Sequence, residues 1–127
     1  GMYDLKLPSG RTLFQIFADR ILAVGKRYGK SIPLYLMTSP ATHEETLAYF
    51  RQHDNLGLAA DDLTIFCQGT MPAVAATTGK LLLEEPDSLA LSPDGHGGTL
   101  AALAEHGCLE SAKQRGIEQL FYFQVDN

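Results

Sequence analysis

The chain alternates between stretches of helical period and short apolar runs rich in β-formers, and that alternation restricts its fold more than any single motif. Leu13, Phe14, Phe17, Ile21, Leu22 and Val24 recur at helical spacing through RTLFQIFADRILAVGKRYG, where Gly29 supplies a stop. The apolar run SIPLYLM follows as a predicted strand, then TSPAT. Thr42 and Glu45 stand at capping-box spacing and open a predicted helix through HEETLAYFRQH. DLTIFCQG reads as a second strand, TTGKLLLEEP as a turn entering another, and SLALSP as one more. A glycine-rich loop then opens a helix at Thr99, CLESAKQRG gives a further helical piece, and EQLFYFQV reads as the last strand. Such an order needs crossover connections. It implies an α/β fold with a mostly parallel sheet carrying helices on both faces. No repeat, low-complexity tract or linker divides the chain, so residues 1–127 read as one unit.

Composition narrows the function. At 127 residues the chain can bury a core, and its 45% apolar and 20% charged residues are ordinary for a soluble domain. A net charge of -5 offers no basic stripe for a nucleic acid, although helix N-termini and a divalent cation can still hold a small phosphate ligand. The two cysteines, Cys67 and Cys108, make no disulfide framework, and a reducing cytoplasm is the expected location. No apolar run reaches the roughly 18 residues a membrane helix needs, so no membrane partner is expected.

In open parallel sheets ligands sit beyond the carboxyl ends of the strands. That rule selects Met37-Thr38-Ser39, Gln68-Gly69-Thr70, the loop after LALS and Asp126-Asn127. The loop SPDGHGGT carries Gly95, Gly97 and Gly98, which let a backbone approach a ligand or simply form a mobile capped turn. It matches neither a Walker loop nor the dinucleotide fingerprint. His96 within it could donate to a sugar hydroxyl or a phosphate oxygen, or could be a surface residue. Gln68 carries a donor and an acceptor that can pair with a nucleobase edge, or can tie up loop backbone. Asp126 could hold Mg²⁺ with substrate phosphates, or be a turn aspartate. Thr38 and Ser39 suit a turn better than a ligand, and His43, His53 and His106 read as solvated.

Five collinear segments, GMYD…LPSGRTLFQIFADRI, PLYLMTS, IFCQGTMPAV, GKLLLEEPDSLALSPDGHGG and RGIEQLFYFQVDN, together resemble the UDP-sugar pyrophosphorylases. The likeness is to the UDP-N-acetylhexosamine pyrophosphorylase branch, with the UDP-glucose pyrophosphorylases as cousins. The resemblance implies a nucleotidyltransferase (Rossmann-like) α/β fold, the cofactor Mg²⁺, and transfer of a uridylyl group from UTP to a sugar 1-phosphate, giving UDP-sugar and pyrophosphate. It also implies roles: Gln68 reading uracil, Gly95 meeting uracil through its backbone, His96 facing the sugar-phosphate side, and Asp126 helping to hold metal and phosphates. The acetylhexosamine branch usually has Asn where this chain has His96, while the UDP-glucose enzymes carry His in a related PGHG loop. That departure favours a hexose 1-phosphate without the acetamido group.

The family's G-x-G-T-R-L-G phosphate loop and following Pro-Lys would precede GMYD and are not in the sequence. The chain therefore reads as the central part of a nucleotidyltransferase catalytic domain, incomplete at both ends and inactive by itself, because that loop stabilises the departing pyrophosphate. Losing the first strand would leave a sheet edge unpaired, and a homodimer through that edge is an expectation. The alternative is a stand-alone α/β module that binds a nucleotide or a protein without catalysis.

Overall fold

The computed structural model describes residues 1–3, 6 and 8–125. Its first helix, α1 (Leu13–Tyr28), begins at a capping box: Thr12 Oγ1 accepts from the Gln15 backbone N–H, and Gln15 Oε1 accepts from Thr12 N at 2.9 Å. The Thr12 hydroxyl also meets the Tyr49 hydroxyl at 2.6 Å, tying the start of α1 to the next helix. Gly29 ends α1 in the left-handed conformation at φ 62°, which a residue with a Cβ adopts at a cost. The helix α2 (His43–Gln52) forms as expected, but the capping box anticipated at Thr42 and Glu45 does not. The Thr42 hydroxyl turns back to Ser39, whose Oγ lies 3.0 Å away, and is not directed at the helix N–H groups.

Two apolar clusters hold the fold. Phe14 and Ala18, one turn apart on α1, and Thr46 and Phe50 on α2 are buried, and the Phe14 and Phe50 rings lie 5.4 Å apart. Phe50 is 1% exposed, so truncating it to alanine should cost on the order of 3–5 kcal/mol. The second cluster surrounds the parallel pair β1 (Leu34–Thr38) and β2 (Leu63–Cys67), in register from Leu34 opposite Leu63 to Thr38 opposite Cys67. Phe66 of β2 packs with Ala102 and Leu103 of α3 (Thr99–Glu105) and Cys108 of α4 (Cys108–Gln114), with Tyr35 and Met37 alongside. Arg115, just past α4, closes this layer by donating to Asp61 O at 2.6 Å and pairing with Asp62, which also accepts from the Ser31 hydroxyl.

Between β2 and α3 the chain makes an antiparallel arm. β3 (Thr70–Pro72) pairs with β6 (Leu91–Pro93), and β4 (Leu83–Glu85) pairs with β5 (Ser88–Leu89). Backbone bonds from Ala73 N to Ala90 O at 2.8 Å and from Leu82 N to Ala73 O at 2.9 Å lace the arm together. The strand pairs among the described residues are thus one parallel and two antiparallel, within a mixed α/β arrangement. The strand expected over EQLFYFQV does not form in its described residues. Phe121 is 89% exposed there and Phe123 packs edge-on to Phe17 at 4.8 Å, so the aromatic run makes side-chain contacts without joining a sheet in the described residues. No helix among the described residues is long and apolar enough to cross a membrane.

Candidate functional site

The parallel register fixes where the candidate residues go. Because Thr38 lies opposite Cys67, both strands end at one edge, and Gln68 N donates to Thr38 O at 2.8 Å just beyond it. The arm then returns the chain to the same place. Thr70 pairs with Pro93, which sets Gly69 beside Asp94, and Asp94 N donates to Gly69 O at 3.1 Å. Gln68 and the glycine loop, separated by the whole arm in sequence, become adjoining walls.

The loop glycines have different causes. Gly95 sits at φ 70° and ψ -167°, a region that side-chain-bearing residues avoid, and space is open where its Cβ would point. Gly97 also faces open space. Gly98 does not, because a Cβ there would collide with the Asp94 carboxylate. Gly69 is bounded by the same group, with Asp94 Oδ2 2.8 Å from the position of its Cβ. Asp94 is thus wedged between two glycine backbones, and its Oδ1 is buried without a hydrogen-bond partner among the described residues. Asp94 is not among the residues that sequence singles out, because its contacts with Gly69 and Gly98 depend on the chain returning through the arm. Of the three loop glycines, only Gly95 and Gly97 leave their backbone open to a ligand.

Gln68 is half-buried, and its carboxamide makes no hydrogen bond among the described residues. Both its donor and its acceptor are therefore unspent. His96 is exposed; its carbonyl accepts from Thr99 Oγ1 at 2.7 Å, which braces the loop, while its ring makes no hydrogen bond among the described residues. Asp126 lies outside the described residues.

The structure corrects the readings of Thr38 and His43, which are engaged in the fold. The buried Thr38 hydroxyl donates to Phe66 O at 3.1 Å and takes a hydrogen bond from His43 Nδ1 at 2.7 Å, so it joins β1, β2 and α2. His53 donates through Nδ1 to Tyr49 O at 2.8 Å and stacks on the Tyr49 ring. His106 Nε2 lies 3.0 Å from Cys67 O. His43 is half-buried and not a solvated residue, whereas His53 and His106 are exposed as expected but also make contacts that spacing along the sequence does not show. Cys67 is half-buried, and burial raises the Cys108 thiol above its ordinary range, which keeps it protonated and unreactive.

Among the described residues no three His, Cys, Asp or Glu side chains converge into an all-protein metal cage. Asp126, the one residue the sequence offers for Mg²⁺, lies outside the described residues. The three wall segments 37–39, 67–70 and 94–99 contain no Lys or Arg, leaving His96 as their sole group able to carry positive charge.

The model of the family described as UTP–glucose-1-phosphate uridylyltransferase matches residues 1–127. UDP-N-acetylglucosamine diphosphorylase 2 of Arabidopsis thaliana is 41% identical over 138 residues, covering 100% of this chain and 27% of its own length. The UDP-N-acetylglucosamine pyrophosphorylase of Saccharomyces cerevisiae is 40% identical over 130 residues, with the same 100% and 27% coverage. A crystal structure from Entamoeba histolytica, of a protein assigned as a UDP-N-acetylglucosamine pyrophosphorylase, superposes with a TM-score of 0.78 at 34% identity. It covers 92% of this chain and 31% of that one. The chain spans about a quarter of the length of the curated relatives it matches.

Proposed function

The chain belongs to the UTP–glucose-1-phosphate uridylyltransferase family, and on that premise we propose that it supplies the base-reading and sugar-phosphate walls of a uridylyltransferase. The reaction is in-line attack by a sugar 1-phosphate oxygen on the α-phosphorus of UTP. A new P–O bond forms to give UDP-sugar, and the bond between the α-phosphorus and the bridging oxygen breaks to release pyrophosphate. A phosphate monoester is already anionic near neutral pH, so the attack needs no general base. Positioning and electrostatic stabilisation carry the rate.

The observation that carries this reading is that the bond from Asp94 N to Gly69 O sets the glycine loop carrying Gly95 against the segment carrying Gln68. A half-buried carboxamide with donor and acceptor both free can take the C=O and N–H of a uracil edge together. The open glycine backbone at Gly95 lets a flat base lie close to the wall. His96, exposed on the same loop, would face the sugar phosphate. Its identity favours a hexose 1-phosphate lacking the acetamido group, whereas the relatives' names favour N-acetylglucosamine. Mg²⁺ enters the proposal through Asp126, since one carboxylate plus substrate phosphates is a common way to hold it.

The test is pyrophosphate release from UTP and glucose 1-phosphate or N-acetylglucosamine 1-phosphate by the full-length gene product. Release with either sugar supports the reading, and its absence with both contradicts it. The isolated 127-residue chain should release none, because its walls hold no Lys or Arg to stabilise the leaving pyrophosphate. Association of two copies through an unpaired strand edge completes the proposal; each described sheet has only two strands and so presents such edges. Light scattering on the isolated chain should report a dimer, and a monomer at high concentration would refute that part.

A further inference from the structure

The two carbonyls that flank Gln68 are both taken by one downstream segment. On one side Gly69 O accepts from Asp94 N at 3.1 Å. On the other, Cys67 O lies 3.0 Å from His106 Nε2, and since a carbonyl can only accept, Nε2 carries the proton. Asp94 opens the glycine loop, and His106 is the residue that ends α3, its own N–H bonded to Ala102 O at 3.0 Å. The segment from Asp94 to His106 therefore spans Gln68 as a bracket fastened at both ends. The His106 ring also leans on Phe66 with centroids 5.8 Å apart, which limits its own motion.

The consequence falls on a single peptide group. The unit joining Cys67 to Gln68 is held through its N–H by Thr38 O at 2.8 Å and through its C=O by His106. One hydrogen bond leaves such a group free to rock about the other at a strand exit, and the second removes that freedom. The direction in which the Gln68 side chain leaves the strand follows the orientation of this peptide. Resting on the reading of Gln68 as the base-reading residue, we propose that His106 is a positioning residue that fixes the Gln68 peptide and thereby sets selectivity for the uracil edge. It touches neither base nor phosphate. A carboxamide that reads a donor and an acceptor in parallel loses both when tilted, because hydrogen bonds weaken steeply away from linearity. His106 is exposed, so removing its ring opens no core cavity.

His106→Ala and His106→Gln in the full-length gene product test this, because glutamine restores an N–H donor of similar reach. Losing one net hydrogen bond should accelerate amide exchange at Gln68 and raise the KM for UTP, each roughly fivefold, with kcat unchanged. Preference for UTP over CTP should fall in parallel, and His106→Gln should recover it. Unchanged Gln68 exchange and an unchanged UTP-to-CTP ratio in His106→Ala would overturn the proposal. A wild-type protein indifferent to UTP and CTP would instead defeat the uridylyl reading. Gln68 exchange in the two variants would then still decide whether His106 fixes that peptide.

Discussion

The carboxylate of Asp94 fills the space into which a side chain at Gly98 would project. Gly98 itself has φ -78° and ψ -1°, a conformation any residue adopts, so the obstacle there is Asp94 alone. Gly98→Ala should destabilise by about 1–3 kcal/mol through overpacking, and most of that loss should vanish in an Asp94→Ala background. Gly95→Ala should cost a similar 1–3 kcal/mol from its φ of 70°, with no relief from Asp94→Ala. Urea unfolding of the singles and doubles distinguishes a steric cause from a backbone one.

The two ends of the helical pair give a second contrast. Thr12 caps α1 and meets Tyr49, whereas Thr42 makes no cap at α2. Thr12→Ala should cost about 1 kcal/mol or more, and Thr42→Ala a few tenths. Thermal unfolding of both variants checks the order, and equal losses would contradict it.

How much of this was legible in the sequence depends on the range of each interaction. The α1 stop at Gly29 and the strand around Leu63–Cys67 follow from local period and propensity, and both were readable. The T-x-x-E at Thr42 looked like a cap and was not, while the T-x-x-Q at Thr12 was one and went unread. Local spacing cannot tell whether a hydroxyl turns forward to its helix or back to Ser39. The EQLFYFQV run has strand propensity, but a strand also needs a neighbour to pair with, which propensity does not encode. Gln68, Gly95 and His96 were legible as polar residues at strand exits; the links through Asp94 and His106 were not, since each depends on an antiparallel arm returning the chain.

The acid limb of stability should carry the signature of Asp62. Hydrogen bonds from Ser31 and then Arg115 hold its carboxyl below the ordinary value of 3.8. A depressed carboxylate stabilises the fold above its unfolded value, and that contribution is lost as pH falls through the folded one. Wild type should therefore exceed Asp62→Asn by a constant margin above about pH 5, with the margin shrinking as pH drops through 3.8 and below. Urea unfolding between pH 3 and 7 measures it; a margin that grows on acidification would refute the assignment.

Sugar choice should respond to His96. With an exposed ring on the open loop, His96→Asn should leave the fold intact and shift preference toward N-acetylglucosamine 1-phosphate. Paired kcat/KM values for the two sugar phosphates report the shift, and an unchanged ratio would remove His96 from sugar recognition.

The central claim is that Gln68 reads the base, and the most direct measurement is kcat/KM for UTP and CTP in the full-length gene product with and without Gln68→Ala. Leaving the base edge without its partner should lower the UTP value roughly tenfold or more while CTP changes little, erasing the preference. Equal losses for both nucleotides, or none, would contradict it.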